Sequence, residues 1–205
     1  MRPMVTKQTD LTRDKLLQAA FNEIHLHGFQ AASIVNILRN TGLTKGALYH
    51  HFPTKQELGL AVIKEVISDQ LDLMIFRRMH ESKRPVHTLL QIIDESRHQT
   101  EWEAISLGCP LNNLMQEMSP LDKDFQVCLN NILSIWQTTV EDALRSEQKT
   151  GGVRPDVDCH AAALFIVSAW EGCIGIAKSQ QSLKNFSLCM KQLHSYVRSL
   201  LISHV

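Results

Sequence analysis

Helical periodicity is the feature of this sequence that most constrains its fold. The first segment places apolar residues at the i, i+3, i+4 and i+7 spacing of one helix face, namely Leu17, Ala20, Phe21 and Ile24. Thr54 and Glu57 match a capping box at the start of a long amphipathic segment. No alternating run of β-branched residues bounded by turn pairs occurs, and the chain has only nine glycines and six prolines. The sequence therefore predicts an all-α fold.

Glycine and proline residues divide the chain into about nine predicted helices. Gly28 suits the C-cap of the first helix, and Pro53 ends the third because the residue before proline is pushed out of helical conformations. A long fourth helix is predicted to follow the capping box to about His80, with further helices at about 86–105, 109–118, 121–148, 158–180 and 183–203. We expect a three-helix N-terminal domain, residues 1–56, and a C-terminal helical domain, residues 57–205.

The segment from Ser33 to Phe52 has the pattern of a helix-turn-helix unit. Ser33 and Thr44 are predicted N-caps of its two helices, and Gly42 lies in the tight turn between them. The apolar residues of the segment form a shared plug, which consists of Ile34, Ile37, Leu38, Leu43, Leu48 and Phe52. The outer face of the second helix is then free to enter the major groove of DNA.

The charge distribution supports contact between the N-terminal part and DNA. The chain has 21 basic and 21 acidic residues and no formal net charge. Residues 1–57 contain seven Lys or Arg against four Asp or Glu, a net charge of +3, and the remainder has 14 against 17, a net charge of −3. A basic head on an acidic body is typical of a DNA-reading module joined to a domain that does not touch DNA.

Three motifs in the N-terminal part resemble the signature of the tetracycline-repressor (TetR/AcrR) family. They are Gly28-Phe29, the run Gly42-Leu43-Thr44-Lys45-Gly46-Ala47-Leu48-Tyr49-His50-His51-Phe52, and Lys55-Gln56-Glu57-Leu58. The length and the helix layout agree with that family's fold. The resemblance implies a transcriptional repressor that binds a palindromic double-stranded operator as a homodimer. It also implies that a small molecule in the C-terminal domain releases the DNA.

The predicted DNA contacts combine this resemblance with the chemistry of the residues. The resemblance implies contacts by Thr44, Lys45, Tyr49 and His50, with Lys55 at a phosphate. Lys45 can neutralise a phosphate, while Gly46 and Ala47 lack bulk, so the backbone can approach the groove. His50 reads either a base edge or a phosphate. The full predicted set is Ser33, Thr44, Lys45, Gly46, Ala47, Tyr49, His50 and Lys55.

Two positions in the helix-turn-helix depart from the family pattern. Leu38 and Thr41 stand where members of the family often have alanine. Leu38 packs where a small side chain is usual, so we expect the angle between the two helices to shift. The departure affects the fine docking on DNA and leaves the class of protein unchanged.

The C-terminal part lacks a catalytic constellation, a phosphate-binding loop and a convincing set of metal ligands, so we expect no enzyme, no cofactor and no metal site. By resemblance, large apolar side chains there form an inducer pocket, with Phe76, Trp102, Met115, Met118, Trp136 and Phe165 as candidates. Its polar contacts would come from Asn112, Asn113, Gln116 and Glu117. The alternative for each apolar residue is an ordinary place in the core.

The last two predicted helices are candidates for the dimer interface, because small residues let helices approach closely. The candidate residues are Ala169, Trp170, Gly172, Ile174, Met190 and Val197. A core formed within one chain is the alternative. Two symmetric heads on a dimer would engage two half-sites and strengthen a weak single contact.

Five single cysteines argue against a disulfide framework and favour buried small hydrophobic residues. A redox sensor using Cys109, Cys128 or Cys173 stays open as an alternative, as does a DNA-binding protein without a ligand. A metal-responsive regulator is the least favoured alternative. We find neither a signal peptide nor an apolar run long enough to span a membrane, so we expect a cytoplasmic protein.

Overall fold

The computed structural model describes residues 4–202 and confirms the all-α prediction. Its nine helices are α1 Met4–His27, α2 Ile34–Leu38, α3 Lys45–His51, α4 55–80, α5 Pro85–Gln99, α6 Pro110–Met118, α7 Lys123–Lys149, α8 Cys159–Gln180 and α9 Leu183–Ser199. A further short helical segment, Trp102–Ser106, follows α5. Within this part of the chain, the β-structure is limited to an isolated antiparallel bridge between Val153 and Leu201.

The helix predicted at 86–105 is interrupted. Thr100 and Glu101 have extended backbones, and α5 ends before them. No glycine or proline occurs between Pro85 and Gly108, so the chain has no residue there that marks the break, although residues 94–101 are all polar.

Helix α4 contains two π-helical stretches, Val62–Ile67 and Asp72–Phe76. A π turn shifts the register of a helix, so neighbouring positions come to share its buried face. Val62 and Ile63 are both buried as a result. Ile75 and Phe76 form a second buried neighbouring pair.

The chain forms two compact units. The first combines the chain up to Asp69 with Asn113–Leu129, and the second combines Gln70–Asn112 with the chain from Asn130 onward. The first unit thus contains the three N-terminal helices, the start of α4, most of α6 and the start of α7. The domain boundary at residues 56 and 57 stays a prediction.

The core of the first unit is closed by aromatic contacts around a glycine. The rings of Phe29 and Phe125 lie 4.5 Å apart. A Cβ atom built on Gly59 of α4 would lie 2.5 Å from the Phe29 ring and 2.8 Å from the Phe125 ring. Only glycine lets the α4 backbone approach these rings so closely.

The core of the second unit is built around Trp136 of α7. Its ring lies 6.4 Å from that of Phe76 and 5.8 Å from that of Trp170, the latter in an edge-to-face arrangement. Helix α9 packs against α5 and α8. Met190 and Val197, on the inner face of α9, are fully buried.

A disulfide joins Cys173 of α8 to Cys189 of α9, so the prediction of no disulfide was wrong for this pair. The two residues are 16 positions apart, and their Cα atoms lie 5.5 Å apart because the helices are packed together. Cys128 and Cys159 are buried thiols, as expected, and Cys109 is a half-buried thiol.

Helix α8 is long and apolar enough, by length and composition alone, to cross a membrane. The sequence had been expected to contain no apolar run of that length. The most apolar window of α8 has a mean hydropathy of 1.5. The central helix of a protein core has the same composition, and 44% of that window is buried inside the protein. This signal is therefore weak evidence for a membrane span.

Candidate DNA-binding surface

Helix α2 begins at a polar junction with α1. The Ser33 hydroxyl accepts a hydrogen bond from the Asn36 backbone N–H at 3.1 Å, which confirms the predicted N-cap. The Glu23 carboxylate of α1 accepts hydrogen bonds from the Asn36 side chain at 2.9 Å and from the Ser33 backbone N–H at 3.4 Å. Ser33 is half-buried and holds the start of α2, so its predicted contact with DNA stays a prediction.

The turn between α2 and α3 has the expected glycine. Gly42 has a φ of +69°, and a Cβ atom there would meet nothing within 4 Å, so the backbone angle alone favours glycine. Thr41 is buried, and its hydroxyl donates to the Leu38 carbonyl at 2.9 Å and accepts from the Leu43 N–H at 3.1 Å. A threonine therefore fits here, where the family often has alanine, because the turn satisfies its hydroxyl.

Helix α3 is anchored by its inner face and exposed on its outer face. Leu48, Ile37 and Phe52 are buried, and the other predicted plug residues, Ile34, Leu38 and Leu43, are half-buried. The Thr44 hydroxyl caps the helix by accepting from the Ala47 N–H at 3.1 Å. The outer face exposes Thr44, Lys45, Gly46, Tyr49 and His50, and Ala47 is half-buried beside them. Five of the eight predicted contact residues thus share one exposed surface.

Lys55, at the start of α4, is held by the loop that follows α1. Its Nζ donates to the Gln30 carbonyl at 3.1 Å and lies 4.7 Å from the centre of the Phe29 ring. Burial lowers the pKa of Lys55 despite the nearby carboxylates of Glu117 and Glu23. The ammonium group therefore has a fixed orientation, and its contact with a phosphate stays a prediction. The capping box at Thr54 and Glu57 is confirmed.

Glu117 of α6 clamps the loop after α1. Its two carboxylate oxygens accept hydrogen bonds from the backbone N–H groups of Phe29 and Gln30, each at 2.8 Å. Gly28 has a φ of +82°, and a Cβ atom there would lie 2.9 Å from the Glu117 carboxylate. Glu117 was expected to supply a polar contact of the inducer pocket, which was wrong, because both of its oxygens bind the loop. We call this arrangement the Glu117 clamp.

Arg13 of α1 makes a second connection that sequence reasoning missed. Its guanidinium forms a two-pronged ion pair with Glu65, with Nη2 to Oε1 at 2.6 Å, and stands 5.1 Å from the centre of the Phe52 ring. The hydrogen bond from Arg13 lowers the pKa of Glu65. The residues are 52 positions apart, so only the fold brings them together.

The six candidate pocket residues are divided between the two units. Phe76 and Trp136 are buried together in the second unit, where Trp102 is half-buried, whereas Met115 and Met118 belong to the first unit. Phe165 is 50% exposed, and its ring lies 4.7 Å from that of Tyr196. Helix α8 thus turns Phe165 to the surface, and its place in the predicted pocket stays a prediction.

A groove of about 370 Å³ lies between α1 and α2 in the first unit and contains none of these pocket candidates. The polar residues of its lining include Lys15, Gln18, Asn22, Glu23, Asn36 and Thr41. No group of three or more His, Cys, Asp or Glu side chains suitable for a metal ion occurs among the described residues.

Half of the dimer candidates lie in the core of the chain itself. Trp170, Met190 and Val197 are buried in the second unit, so the alternative of an intrachain core holds for them and their predicted interface role was wrong. Gly172 is exposed, and Ala169 and Ile174 are half-buried. Large apolar residues that are exposed on α8 and α9 instead are Leu164, Phe165, Ile176, Leu183 and Leu188. We call these five residues the α8–α9 apolar face.

Comparisons with known proteins identify the family of the chain. Residues 16–62 match the model of bacterial regulatory proteins of the tetR family. Residues 85–193, more than half of the chain, match the tetracyclin repressor-like C-terminal domain.

Curated relatives are regulators of transcription. The chain is 27% identical to the transcriptional regulator AcuR of Cereibacter sphaeroides, over 97% of the chain and 87% of the relative. It is 30% identical to an uncharacterized HTH-type transcriptional regulator of Lactococcus lactis, over 65% of the chain and 68% of the relative. It is 26% identical to the HTH-type transcriptional repressor DhaR of a Mycobacterium species, over 78% of the chain and 80% of the relative.

Solved structures share the fold. A TetR transcriptional regulator from Chloroflexus aurantiacus superposes with a TM-score of 0.84 at 22% identity, over 95% of this chain and 98% of that one. A regulatory protein TetR from Rhodobacter sphaeroides superposes with a TM-score of 0.80 at 24% identity, over 94% of this chain and 100% of that one. With its two family matches and a helix-turn-helix of the expected geometry, the chain belongs to the TetR family of DNA-binding transcriptional regulators, which are not enzymes.

Proposed function

We propose that the protein is a cytoplasmic repressor that binds a palindromic operator as a homodimer through α3. A small molecule bound among the C-terminal helices releases the DNA. A relative named as a repressor, DhaR, supports the direction of regulation. The release requires only that the ligand binds one conformation of the dimer more tightly, since a difference of about 1.4 kcal/mol shifts the balance about tenfold.

The observation that carries this proposal is that α3 exposes its outer face while its inner face is held in the core of the first unit. Lys45 and Tyr49 are exposed, whereas Leu48 on the opposite side is completely buried. A lysine next to a helix N-terminus suits phosphate binding, and the small Gly46 lets the backbone approach the groove. Ser33, Ala47, His50 and Lys55 complete the proposed contact set.

The α8–α9 apolar face supports the homodimer. Ile176 is 54% exposed, and Phe165 and Leu188 are exposed to a similar extent. Gly172 and Gly175 of α8 have open space where a Cβ atom would lie, which lets a helix of a second copy approach closely. Exposed apolar patches of this kind mark protein interfaces.

The aromatic residues of the second unit support a pocket for a ligand. Phe76 and Trp136 are the candidates that the fold brings together, and Trp102 lies in the same unit. Met115 and Met118 stay proposed pocket residues. We expect the ligand to move α4 and thereby change the distance between the two recognition helices of the dimer.

Binding to DNA fragments from upstream of the protein's own gene, at physiological salt and with competitor DNA, tests the proposal. We expect specific binding to an inverted repeat, which Lys45→Ala and Tyr49→Ala each weaken by at least about tenfold. Lys149→Ala is the matched control, because Lys149 is exposed at the end of α7, outside the proposed surface. Equal loss in all three variants, or binding that is only weak and salt-sensitive, would count against the proposed surface.

A ligand screen on the same DNA complex tests the induction step. Small molecules that release the DNA from the wild type should raise the thermal stability of the free protein as well. If no small molecule changes DNA binding, the protein is a regulator without an inducer.

The disulfide between Cys173 and Cys189 favours a second candidate, a redox-responsive regulator. Operator binding would then differ between the disulfide and dithiol forms. Mass spectrometry after mild peroxide or dithiothreitol, combined with DNA binding by the wild type and by Cys189→Ser, separates the two mechanisms. Equal DNA affinity of the two forms would reject the redox mechanism.

A further inference from the structure

Glu171 of α8 is a buried carboxyl group whose two oxygens make no hydrogen bond of ordinary geometry to a described residue. The residue is only 8% exposed, and both carboxylate oxygens are enclosed by protein. Neither oxygen makes a hydrogen bond of ordinary geometry to any residue in the described part of the chain. Buried polar groups are almost always hydrogen-bonded, so each exception needs an explanation.

Glu147 of α7 provides a matched comparison in the same unit. Glu147 is 7% exposed, compared with 8% for Glu171, so the two glutamates are buried to the same degree. Glu147 Oε1 accepts a hydrogen bond from the Val86 backbone N–H at 2.8 Å, and His87 Nδ1 lies 3.6 Å from its Oε2. The fold therefore supplies a hydrogen bond of ordinary geometry for the carboxylate of Glu147, whereas within residues 4–202 it supplies none for the carboxylate of Glu171.

The polar neighbour of Glu171 is the thiol of Cys109, which precedes α6. Burial raises the pKa of Glu171 to about 7, and a contact with this weak S–H donor opposes that rise without cancelling it. Burial and the nearby Glu171 raise the pKa of Cys109 well above its usual range, and the N–H groups of Asn112 and Leu111 oppose this. Cys109 is thus a neutral thiol at physiological pH, so it cannot neutralise the carboxylate.

We propose that Glu171 anchors a positively charged nitrogen of the small-molecule ligand, an amine or an amidine, in the second unit. This assignment of ligand class rests on the proposed function as a ligand-responsive regulator. A protonated nitrogen supplies both missing features, namely N–H donors for the two oxygens and a countercharge for the carboxylate.

Other classes of ligand do not complete the site. A carboxylate or phosphate ligand would be repelled by the negative charge of Glu171. Burying two negative charges side by side would also cost free energy. A neutral alcohol would donate one hydrogen bond but would leave the charge of an ionised Glu171 uncompensated.

The test uses benzylamine as the cationic probe and benzyl alcohol as its neutral counterpart. Calorimetric titration of the full-length protein, without DNA, measures the affinity for each probe. At about pH 8 we expect benzylamine to bind the wild type at least about tenfold more tightly than it binds Glu171→Gln. Benzyl alcohol should bind the two proteins equally. Glu81→Gln, which changes an exposed glutamate of the same unit, should bind benzylamine like the wild type.

A second measurement on the wild type alone keeps the proposal testable if Glu171→Gln does not fold. Because the cation binds the ionised carboxyl, titration at about pH 6 in buffers of different ionisation enthalpy should show release of close to one proton per benzylamine. At about pH 8 the proton release should vanish. Absence of benzylamine binding, equal affinity for the alcohol, or no proton release at about pH 6 would overturn the assignment.

This experiment separates the ligand class from the proposed function. Failure to bind benzylamine, combined with specific operator binding, rejects only the cation site. Benzylamine binding without any operator binding supports the cation site and rejects the repressor.

Discussion

The two compact units of this protein differ in how completely their acidic side chains are hydrogen-bonded. In the first unit, Glu65 and Glu117 each have partners from distant parts of the chain, through Arg13 and through two backbone N–H groups. In the second unit, Glu147 is also hydrogen-bonded, but neither oxygen of the buried Glu171 accepts a hydrogen bond of ordinary geometry from the part of the chain that the structure describes, and the α8–α9 apolar face is exposed. The DNA-reading unit is thus completed within its own chain, whereas the other unit presents groups that suit a ligand and a second copy.

Gly59→Ala should give the largest effect and tests whether the first unit is as tightly packed as described. The new methyl group would overlap the rings of Phe29 and Phe125, so we expect the free energy of unfolding to fall by about 3 kcal/mol. Urea denaturation measures the change. Gly46→Ala is the control, because its Cβ atom would lie 3.7 Å from Thr44 Oγ1, and it should leave stability unchanged or slightly higher. Equal stabilities of the two variants would contradict the described packing.

Glu171→Gln should stabilise the protein at high pH, in contrast with substitutions in the first unit. The pKa of Glu171 is about 7 in the folded protein against an ordinary value of 4.5, so the folded state holds the proton longer than the unfolded state. Stability contributed by this group is therefore complete below about pH 4.5 and is lost as the pH rises to about 7. We expect the variant to gain about 3 kcal/mol over the wild type at pH 8 and almost nothing at pH 4. A gain that does not depend on pH would contradict a buried, unpartnered carboxyl.

Glu117→Gln should destabilise the first unit by about 1.5 kcal/mol, because the amide can accept only one of the two clamp hydrogen bonds and carries no charge. Thermal unfolding measures the loss. Glu103→Gln, at an exposed residue of the second unit, is the control and should have no effect. A Glu117 variant as stable as the control would show that the Glu117 clamp does not stabilise this unit.

Ile176→Glu should weaken the proposed dimer, with a dissociation constant raised at least about tenfold, or about 1.4 kcal/mol. The charge would be placed on the α8–α9 apolar face, and analytical ultracentrifugation measures the association. Leu73→Glu alters an equally exposed leucine of α4, outside that face, and should leave the dimer intact. Loss of association in both variants, or in neither, would show that the copies do not meet through this face.

Features that depend on neighbours in sequence were predicted well. The caps at Ser33, Thr44 and Thr54 and the turn at Gly42 follow from residue types a few positions apart, and the structure confirms them. The exposed face of α3 follows from the same local periodicity.

Features that depend on which helices meet were not predictable in the same way. The apolar stripes of α8 and α9 fit an intrachain core and a dimer interface equally, so Met190 was assigned to the wrong one. The disulfide between Cys173 and Cys189 required knowledge of the packing of these two helices. Glu117 was expected to contact a ligand, because nothing in its sequence neighbourhood points to a loop 88 residues away.

The Glu117 clamp has a consequence for which substitutions the loop tolerates. Glu117 binds the main-chain N–H groups of residues 29 and 30, so the hydrogen bonds themselves do not depend on the side chain at position 30. Gly28 has no such freedom, because a side chain there would meet both a left-handed backbone and the carboxylate. A saturation library across the loop should therefore accept almost any residue except proline at position 30 and almost none but glycine at position 28.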